Sequence, residues 1–263
     1  MLRKHIQSIA LTGFICSLHI GTALAADHIG TATYTNGTVL VERESQTAPT
    51  ALNTGDMIYL GDTVLTDAGD HAKITFIDET TIALNGADGS LTIDDYIYDP
   101  EAPKENRARF NVLQASFVYV SGALGKVKKP DVQIELDFGT IGIRGTKILR
   151  SMKDQECWIY VEEGAIRVSN DGGIVNLKTG GGTRISSTKT VPSSPKPWSA
   201  ENIAWVKGAV ALPTDAVDEK AEDPTDVEME TTEPQTIEEP VAPEILEIPK
   251  APEAPETPKA LDE

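Results

Sequence analysis

Apolar and polar residues alternate along most of the middle of the chain. Residues 132–136 read VQIEL, so three aliphatic side chains fall on one face and Gln133 and Glu135 on the other. A period of two is typical of a strand with one buried face. Comparable runs cover residues 29–34, 38–43, 72–77, 80–84, 109–113, 117–120, 158–162, 165–169 and 174–177. The pattern predicts an all-β fold, a sandwich or β-roll of many short strands.

Turn signals separate these runs. The strongest is Asn36-Gly37, because both residues tolerate the positive φ angles of a tight hairpin, and it predicts that the runs on either side pair with each other. Glu163-Gly164 predicts a second turn, and the glycines at 180–182 predict a third. The Gly-Asp pairs at 55–56 and 61–62 suit tight bends that feed short strands.

One short C-terminal helix is predicted after the strands. Ser199 can cap a helix over residues 200–206, and Gly208 is expected just past its end. Trp198 and Trp205 are large enough to anchor this helix on a sheet edge. Two interpretations stay open: the helix covers an exposed edge strand, or the two tryptophans form an aromatic site for a partner.

The two ends of the chain differ in composition from its middle. Arg3 and Lys4 precede an apolar run that closes on small residues, which indicates a secretory signal peptide over residues 1–25; an uncleaved membrane anchor is the weaker alternative. We therefore expect residues 26–212 to form one exported β domain, periplasmic or secreted, with no membrane span after cleavage. Residues 213–263 carry 17 Asp and Glu against 3 Lys among many prolines, which predicts a disordered acidic tail.

Charge and reactive residues exclude several functions. The chain carries a net charge of −18, so we expect no basic face and neither nucleic acid nor an anionic membrane as a partner. Beyond the signal peptide, the chain contains one cysteine, Cys157, and two histidines, His28 and His71. These three residues do not have the spacing of zinc ligands, and they provide no histidine base for a catalytic nucleophile. We expect no catalytic residue, metal or cofactor. A polysaccharide-acting enzyme remains an alternative, because a fold can bring two acids together.

Two stretches resemble a known family. Residues 55–84 contain two Gly-Asp bends followed by TDAG and alternating strands, and residues 139–148 read GTIGIRGTKI. Together they resemble the FecR-domain family over roughly residues 50–187, most specifically at residues 143–146. The resemblance implies an exported β domain that senses an outer-membrane transporter and is joined by a membrane helix to a cytoplasmic segment controlling a sigma factor. Only five residues precede the apolar run and no second spanning stretch appears, so we expect recognition without transmembrane signalling.

The stretch at 139–148 combines glycine at every third position with one arginine. Glycine has no side chain, so these positions allow a neighbouring backbone to approach closely. They also allow a β-bulge at a point where the strand passes from one sheet to another. Arg144 is expected on the face opposite its neighbouring isoleucines. Two roles stay open for Arg144 together with Gly142, Gly145 and Thr146: a structural clamp between strands or loops, or a grip on an anionic ligand.

The sequence therefore predicts a non-enzymatic recognition or assembly module at the bacterial envelope, with an envelope protein or glycan as its partner. In the tail, Ile245, Leu246 and Ile248 are candidate apolar anchors for a partner's groove, unless the tail is only a spacer. A structural alternative is a subunit or passenger of an extracellular assembly that pairs edge strands.

Overall fold

A computed structural model describes residues 27–86 and 88–213. The predicted signal peptide and the tail anchors at 245, 246 and 248 lie outside these residues, as does the predicted tail beyond Pro213. The described part contains two helices, α1 (Ala123–Lys126) and α2 (Ala200–Val210). Its strands are β1 (Gly30–Asn36), β2 (Leu40–Glu42), β3 (Thr50–Ala51), β4 (Met57–Ile58), β5 (Thr63–Thr66), β6 (His71–Phe76), β7 (Thr81–Asn85), β8 (Gly89–Ile97), β9 (Arg107–Leu113), β10 (Ser116–Val120), β11 (Val132–Leu136), β12 (Gly139–Lys153), β13 (Glu156–Asn170), β14 (Gly173–Lys178), β15 (Gly181–Ile185) and β16 (Lys196–Pro197).

All sixteen strands belong to one curled sheet, so the prediction of an all-β fold of many short strands is confirmed. The main path runs β3-β2-β5-β8-β9-β11-β12-β10-β7-β6-β1-β4. Strand β12 pairs with β11 along its first half and with β10 along its second, while β13 follows it on the other side. Strand β13 in turn pairs with β15 and then β14. These two long strands connect the two halves of the sheet.

The inner face of the sheet encloses one apolar core. The alternation at β11 is realised as expected, with Val132, Ile134 and Leu136 buried and Glu135 exposed. Phe76 and Tyr96 stack in the centre with ring centroids 5.3 Å apart. Burial of these aliphatic and aromatic side chains is the main force that holds the sheet closed, because one free cysteine provides no disulfide among the described residues.

The predicted hairpin at Asn36-Gly37 is wrong. Gly37 does adopt a positive φ of 85°, but β1 pairs with β6 and β4, whereas β2 pairs with β5 and β3. The turn is fixed instead by Asp70, whose Oδ1 accepts a hydrogen bond from the Thr38 amide at 2.9 Å. The chain thus changes direction locally, and each flanking strand finds its partner elsewhere in the sheet.

The predicted turn at Glu163-Gly164 is also wrong, because β13 continues through it as one strand of 15 residues. The two Gly-Asp bends are present: Gly55 and Gly61 have φ of 98° and 84° and precede β4 and β5. In both Gly-Asp bends and at residue 164, glycine supplies a backbone angle that other residues avoid. Only the tertiary pairing decides whether that angle makes a turn or a bulge.

Helix α2 begins as predicted, with the Ser199 hydroxyl accepting from the Asn202 amide at 3.3 Å. It runs four residues beyond the predicted end, to Val210, and Gly208 lies within it. The helix packs on the outer face of the sheet, where Val206 and Val210 are buried against Leu149. Its position on a sheet face, rather than on an edge, corrects the expectation from sequence. The one-turn helix α1 was not predicted.

Candidate functional site

The glycine-rich stretch forms a bulge in β12. Its register against β13 shifts between Arg144 and Lys147, and Gly145 has a φ of 62°. Across the pair, Gly164 has a φ of 82°, and a Cβ added there would lie 1.7 Å from the Gly145 carbonyl oxygen. The two backbones therefore approach more closely than any side chain allows. The bulge lies where β12 passes from its partner β11 to its partner β10.

Arg144 lies on the outer surface beside this bulge. Its neighbours Ile141 and Ile143 are buried, whereas Arg144 is exposed. Within residues 27–86 and 88–213, no hydrogen bond or ion pair involves its guanidinium group. The structure thus gives Arg144 no clamping partner in the described part of the chain, and the arginine is available to a ligand.

A groove of about 640 Å³ crosses the outer face beside Arg144. Small residues, Gly142 and Ala165, form part of its floor, and an added Cβ at Gly142 would make only ordinary contact, 3.8 Å from the Arg167 carbonyl oxygen. Five of its lining residues are cationic and none is acidic. The lining consists of Lys128, Lys129, Pro130, Gly142, Ile143, Arg144, Ala165, Ile166, Arg167, Asn176, Leu177 and Lys178.

Strand register brings these cations together from distant parts of the sequence. Arg144 of β12 lies opposite Ala165 of β13, which lies opposite Lys178 of β14. Arg167 is two residues from Ala165 along β13, on the same face. Lys128 and Lys129 come from the loop that precedes β11. In the described residues none of the five cations is in an ion pair, so this groove is a local positive site in an acidic protein. The expectation of a folded domain without a basic face is therefore wrong here.

Several other cations on the surface are paired with acids. Arg107 pairs with Asp95, and Arg109 with Asp131. Beneath the end of α2, a second hollow of about 420 Å³ contains Glu162, which bonds Lys147 at 2.9 Å and also Lys207. The partial burial of Glu162 raises its pKa, but the hydrogen bonds from these two lysines outweigh it and lower the pKa overall. The groove at Arg144 differs because its positive charges have no such carboxylate.

A buried polar network holds the segment before the groove lysines. Asp78 accepts hydrogen bonds from the Tyr96 hydroxyl at 2.8 Å, the Thr80 hydroxyl at 2.8 Å and the Leu124 amide at 2.9 Å. Burial, followed by the nearby Asp78 charge, raises the pKa of Tyr96 well above its ordinary value. The Asp78 carbonyl also accepts from the Ala123 amide at 2.8 Å, so α1 is fixed at its start. This attachment positions the loop that carries Lys128 and Lys129.

Thr146 belongs to the support of the groove rather than to its lining. It is buried, and its amide donates to the Ser121 hydroxyl at 3.0 Å while its carbonyl accepts from the Ser121 amide at 2.9 Å. These bonds connect the bulge to Ser121, which lies two residues before the start of α1. Of the four residues proposed from sequence around Arg144, Gly142 therefore lines the groove, whereas Gly145 and Thr146 shape the backbone beneath it.

The sequence reasoning missed a second arginine on β12. Arg150 is fully buried, and its guanidinium donates to the Ala115 carbonyl, lies 3.4 Å from the Cys157 sulfur and lies 3.8 Å from the Asp137 carboxylate. Arg150 therefore has the role of structural clamp between strands and loops that the sequence suggested for Arg144. The available signal was weak: Arg150 directly follows Ile148 and Leu149 in a strand.

The two tryptophans proposed as partner anchors pack α2 onto the sheet. Trp198 is buried, with its ring stacked 5.6 Å from Tyr160. Trp205 is half-buried, 5.5 Å from the ring of Trp158, and the Lys153 ammonium lies 4.9 Å from its ring. Both rings therefore serve the contact between helix and sheet, and a partner could reach only the remaining exposed part of Trp205.

Comparisons with known proteins give a limited result. No protein-family model matches the chain, and no curated protein matches it in sequence. The structure is similar to two crystal structures of a proposed anti-sigma factor from Parabacteroides distasonis ATCC 8503, at 14% identity and TM-scores of 0.43 and 0.44. The match covers 56% of this chain and 65% and 64% of those chains, so this chain spans less than two thirds of their length. At these values the likeness establishes no function.

The described residues contain no group of three His, Cys, Asp or Glu side chains placed to hold a metal ion. No helix in residues 27–86 or 88–213 is long and apolar enough to cross a membrane.

Proposed function

We propose that the protein is an exported recognition module of the bacterial envelope that binds an anionic partner in the groove at Arg144. The observation that carries the proposal is the set of five unpaired cations around a groove whose lining contains no acid. Like charges held together repel each other, so an anion that enters the groove removes an electrostatic cost as well as forming hydrogen bonds. Arginine in particular suits carboxylate and phosphate groups, because its fork donates two parallel bonds.

The groove supports binding rather than catalysis. Its lining supplies ammonium, guanidinium and amide donors but no imidazole, carboxylate or thiol that could act as base or nucleophile. The predicted signal peptide and the FecR-domain resemblance of residues 50–187 favour an exported module. We therefore retain a non-enzymatic function with an envelope protein or glycan as partner, and assign recognition to the β domain.

The test is retention of an envelope component by the immobilised full chain. We expect the double variant Arg144→Glu/Arg167→Glu to lose the component that the unaltered chain retains, and added salt to weaken retention because it screens surface charge. The matched control is Lys104→Glu/Lys189→Glu, which changes the net charge equally at exposed positions outside the groove. Equal retention by both double variants would contradict a role for the groove.

A further inference from the structure

Strand β14 forms one border of the groove and has a free side. Among the described residues it pairs only with β13, in the register Ala165 to Lys178 through Asn170 to Gly173. The segment near Thr188 and Val191 covers only the start of β14, at Gly172 and Gly173. At the other end of β14, Gly181 lies against the Lys178 main chain, where an added Cβ would be 3.0 Å from the Lys178 carbonyl oxygen. The edge from residue 174 to 176 therefore lies open to another chain.

The main-chain groups that face this open edge can be assigned from the pairing. The Thr179 amide donates to the Gly164 carbonyl at 3.0 Å, toward β13. In an antiparallel pair, residues alternate between those bonded to the partner strand and those that point away from it. Leu177 and Val175 therefore bond to β13, whereas the amide and carbonyl groups of alternate residues point away from β13. Those residues are Ile174, Asn176 and Lys178.

The same three residues expose their side chains on the face that carries the groove. Ile174 is 51% exposed, and Asn176 and Lys178 are exposed as well. Unpaired edges without proline invite another strand to pair. A second copy of this edge would bring Lys178 and the groove cations against an identical positive surface. The charge therefore favours an added strand with acidic side chains.

We propose that an acidic segment of a partner polypeptide binds in extended conformation along β14, extending the sheet by one strand. This inference rests on the proposed function, since the carboxylates of the added strand would enter the anionic site. Neighbouring strands lie about 4.8 Å apart, so an acid at every second position would lie beside Lys178 and within side-chain reach of Arg167. Main-chain bonds to residues 174 and 176 would supply affinity, and the cations would select acidic sequences.

A peptide fits the observations better than a nucleic acid. Single-stranded nucleic acids are bound through bases stacked on aromatic rings, and the groove lining contains no aromatic residue. The site offers instead unpaired main-chain groups along one border and cations along the other. These are complementary to an extended acidic peptide.

The test uses the full chain and a fluorescein-labelled decapeptide of alternating Glu and Thr. Fluorescence anisotropy measures binding of the peptide, and hydrogen exchange measures protection of the β14 amides. We expect Asn176→Pro, which removes an edge amide without removing a bond to β13, to weaken peptide binding at least tenfold, while Asn176→Ala does not. We expect the peptide to slow exchange at residues 174 and 176. Melting curves check that each variant folds, and Ile174→Pro replaces Asn176→Pro if the latter does not.

Two further probes separate this inference from the proposed function. A pentameric oligogalacturonate and a dT hexamer each carry five negative charges, as the five Glu side chains of the peptide do, but have no peptide backbone. The groove variant Arg144→Glu/Arg167→Glu is measured with each probe. If the peptide binds equally to the Asn176→Pro and Asn176→Ala variants, or if another probe binds and the peptide does not, strand addition is wrong and anion recognition stands. If no probe binds the unaltered chain, or if the groove variant binds all three unchanged, both ideas fail.

Discussion

Two arginines on β12 have opposite environments although each directly follows an aliphatic residue in the sequence. Arg144 is exposed beside the groove, and Arg150 is buried with Asp137 and the Ala115 carbonyl as partners. The difference arises because the bulge at Gly145 shifts the alternation between them. One extra residue in a strand moves every later side chain to the other face.

At the residue scale, we expect Arg150→Ala to lower the free energy of unfolding by about 3 kcal/mol, because it removes a buried, hydrogen-bonded charge and leaves a cavity. Urea denaturation followed by circular dichroism measures the change. Arg144→Ala is the matched control on the same strand, with an expected change within about 0.5 kcal/mol. Equal effects of the two substitutions would show that Arg150 is not the clamp.

Gly164 and Gly180 allow a second comparison at this scale. Both have positive φ, 82° and 79°, but a Cβ at Gly164 would lie 1.7 Å from the Gly145 oxygen, whereas nothing lies within 4 Å at Gly180. We expect Gly180→Ala to cost about 1 kcal/mol from backbone conformation alone. Gly164→Ala should cost several times more, because the paired strands must separate. Thermal melts of the two variants would coincide if close approach at the bulge were unimportant.

At the element scale, α2 is attached to the sheet by apolar packing and by one charge contact. Val206 and Trp198 bury the apolar part of the contact, and Lys207 bonds Glu162 of β13. The contact lies on a sheet face that would otherwise expose Leu149 and Trp158 to water. The helix therefore extends the apolar part of the protein to a second, outer layer.

The attachment of α2 is expected to weaken in acid. The pKa of Glu162 is lowered in the folded protein from its ordinary value of 4.5, so its stabilisation is present above that pH and is lost as the pH falls through the lowered value. The contribution is below about 1 kcal/mol because the contact is largely exposed. We expect Glu162→Gln to reduce stability at pH 7, and we expect this reduction to shrink progressively as the pH falls below 4.5. A difference between the two proteins that does not change with pH would contradict this assignment.

At the scale of the whole molecule, charge is distributed unevenly. The chain as a whole is strongly acidic, while the groove at Arg144 collects five cations from β12, β13, β14 and the loop before β11. The net negative charge of the chain lowers the rate at which anions approach, and the local cluster provides their binding site.

A multivalent anion should stabilise the folded protein. At ten times its dissociation constant, tripolyphosphate in the groove is expected to add about 1.4 kcal/mol to the free energy of unfolding. The measurement is the melting temperature with tripolyphosphate against sodium chloride of equal ionic strength. The Arg144→Glu/Arg167→Glu variant should lose this stabilisation, and an undiminished shift in that variant would place the anion elsewhere.

The sequence alone determined the class of the fold, because the period of two is a local property of each strand. The cap at Ser199 and the bends at Gly55 and Gly61 were predictable for the same reason, since each depends on residues a few positions apart. The FecR-like stretch directed attention to Arg144 and Gly142, which both line the groove. The roles of the outlying anchors at 245, 246 and 248 stay predictions.

Only the tertiary structure decided which strands pair and where charge gathers. Asn36-Gly37 turns the chain without forming a hairpin, and Gly164 makes a bulge rather than a turn, because long-range pairing overrides local preference. Lys128 and Lys178 are 50 positions apart in sequence, and Arg144 meets them only through the register of β12, β13 and β14. Net charge is a sum over the chain and contains no information on position, so the basic groove could emerge only from the folded sheet.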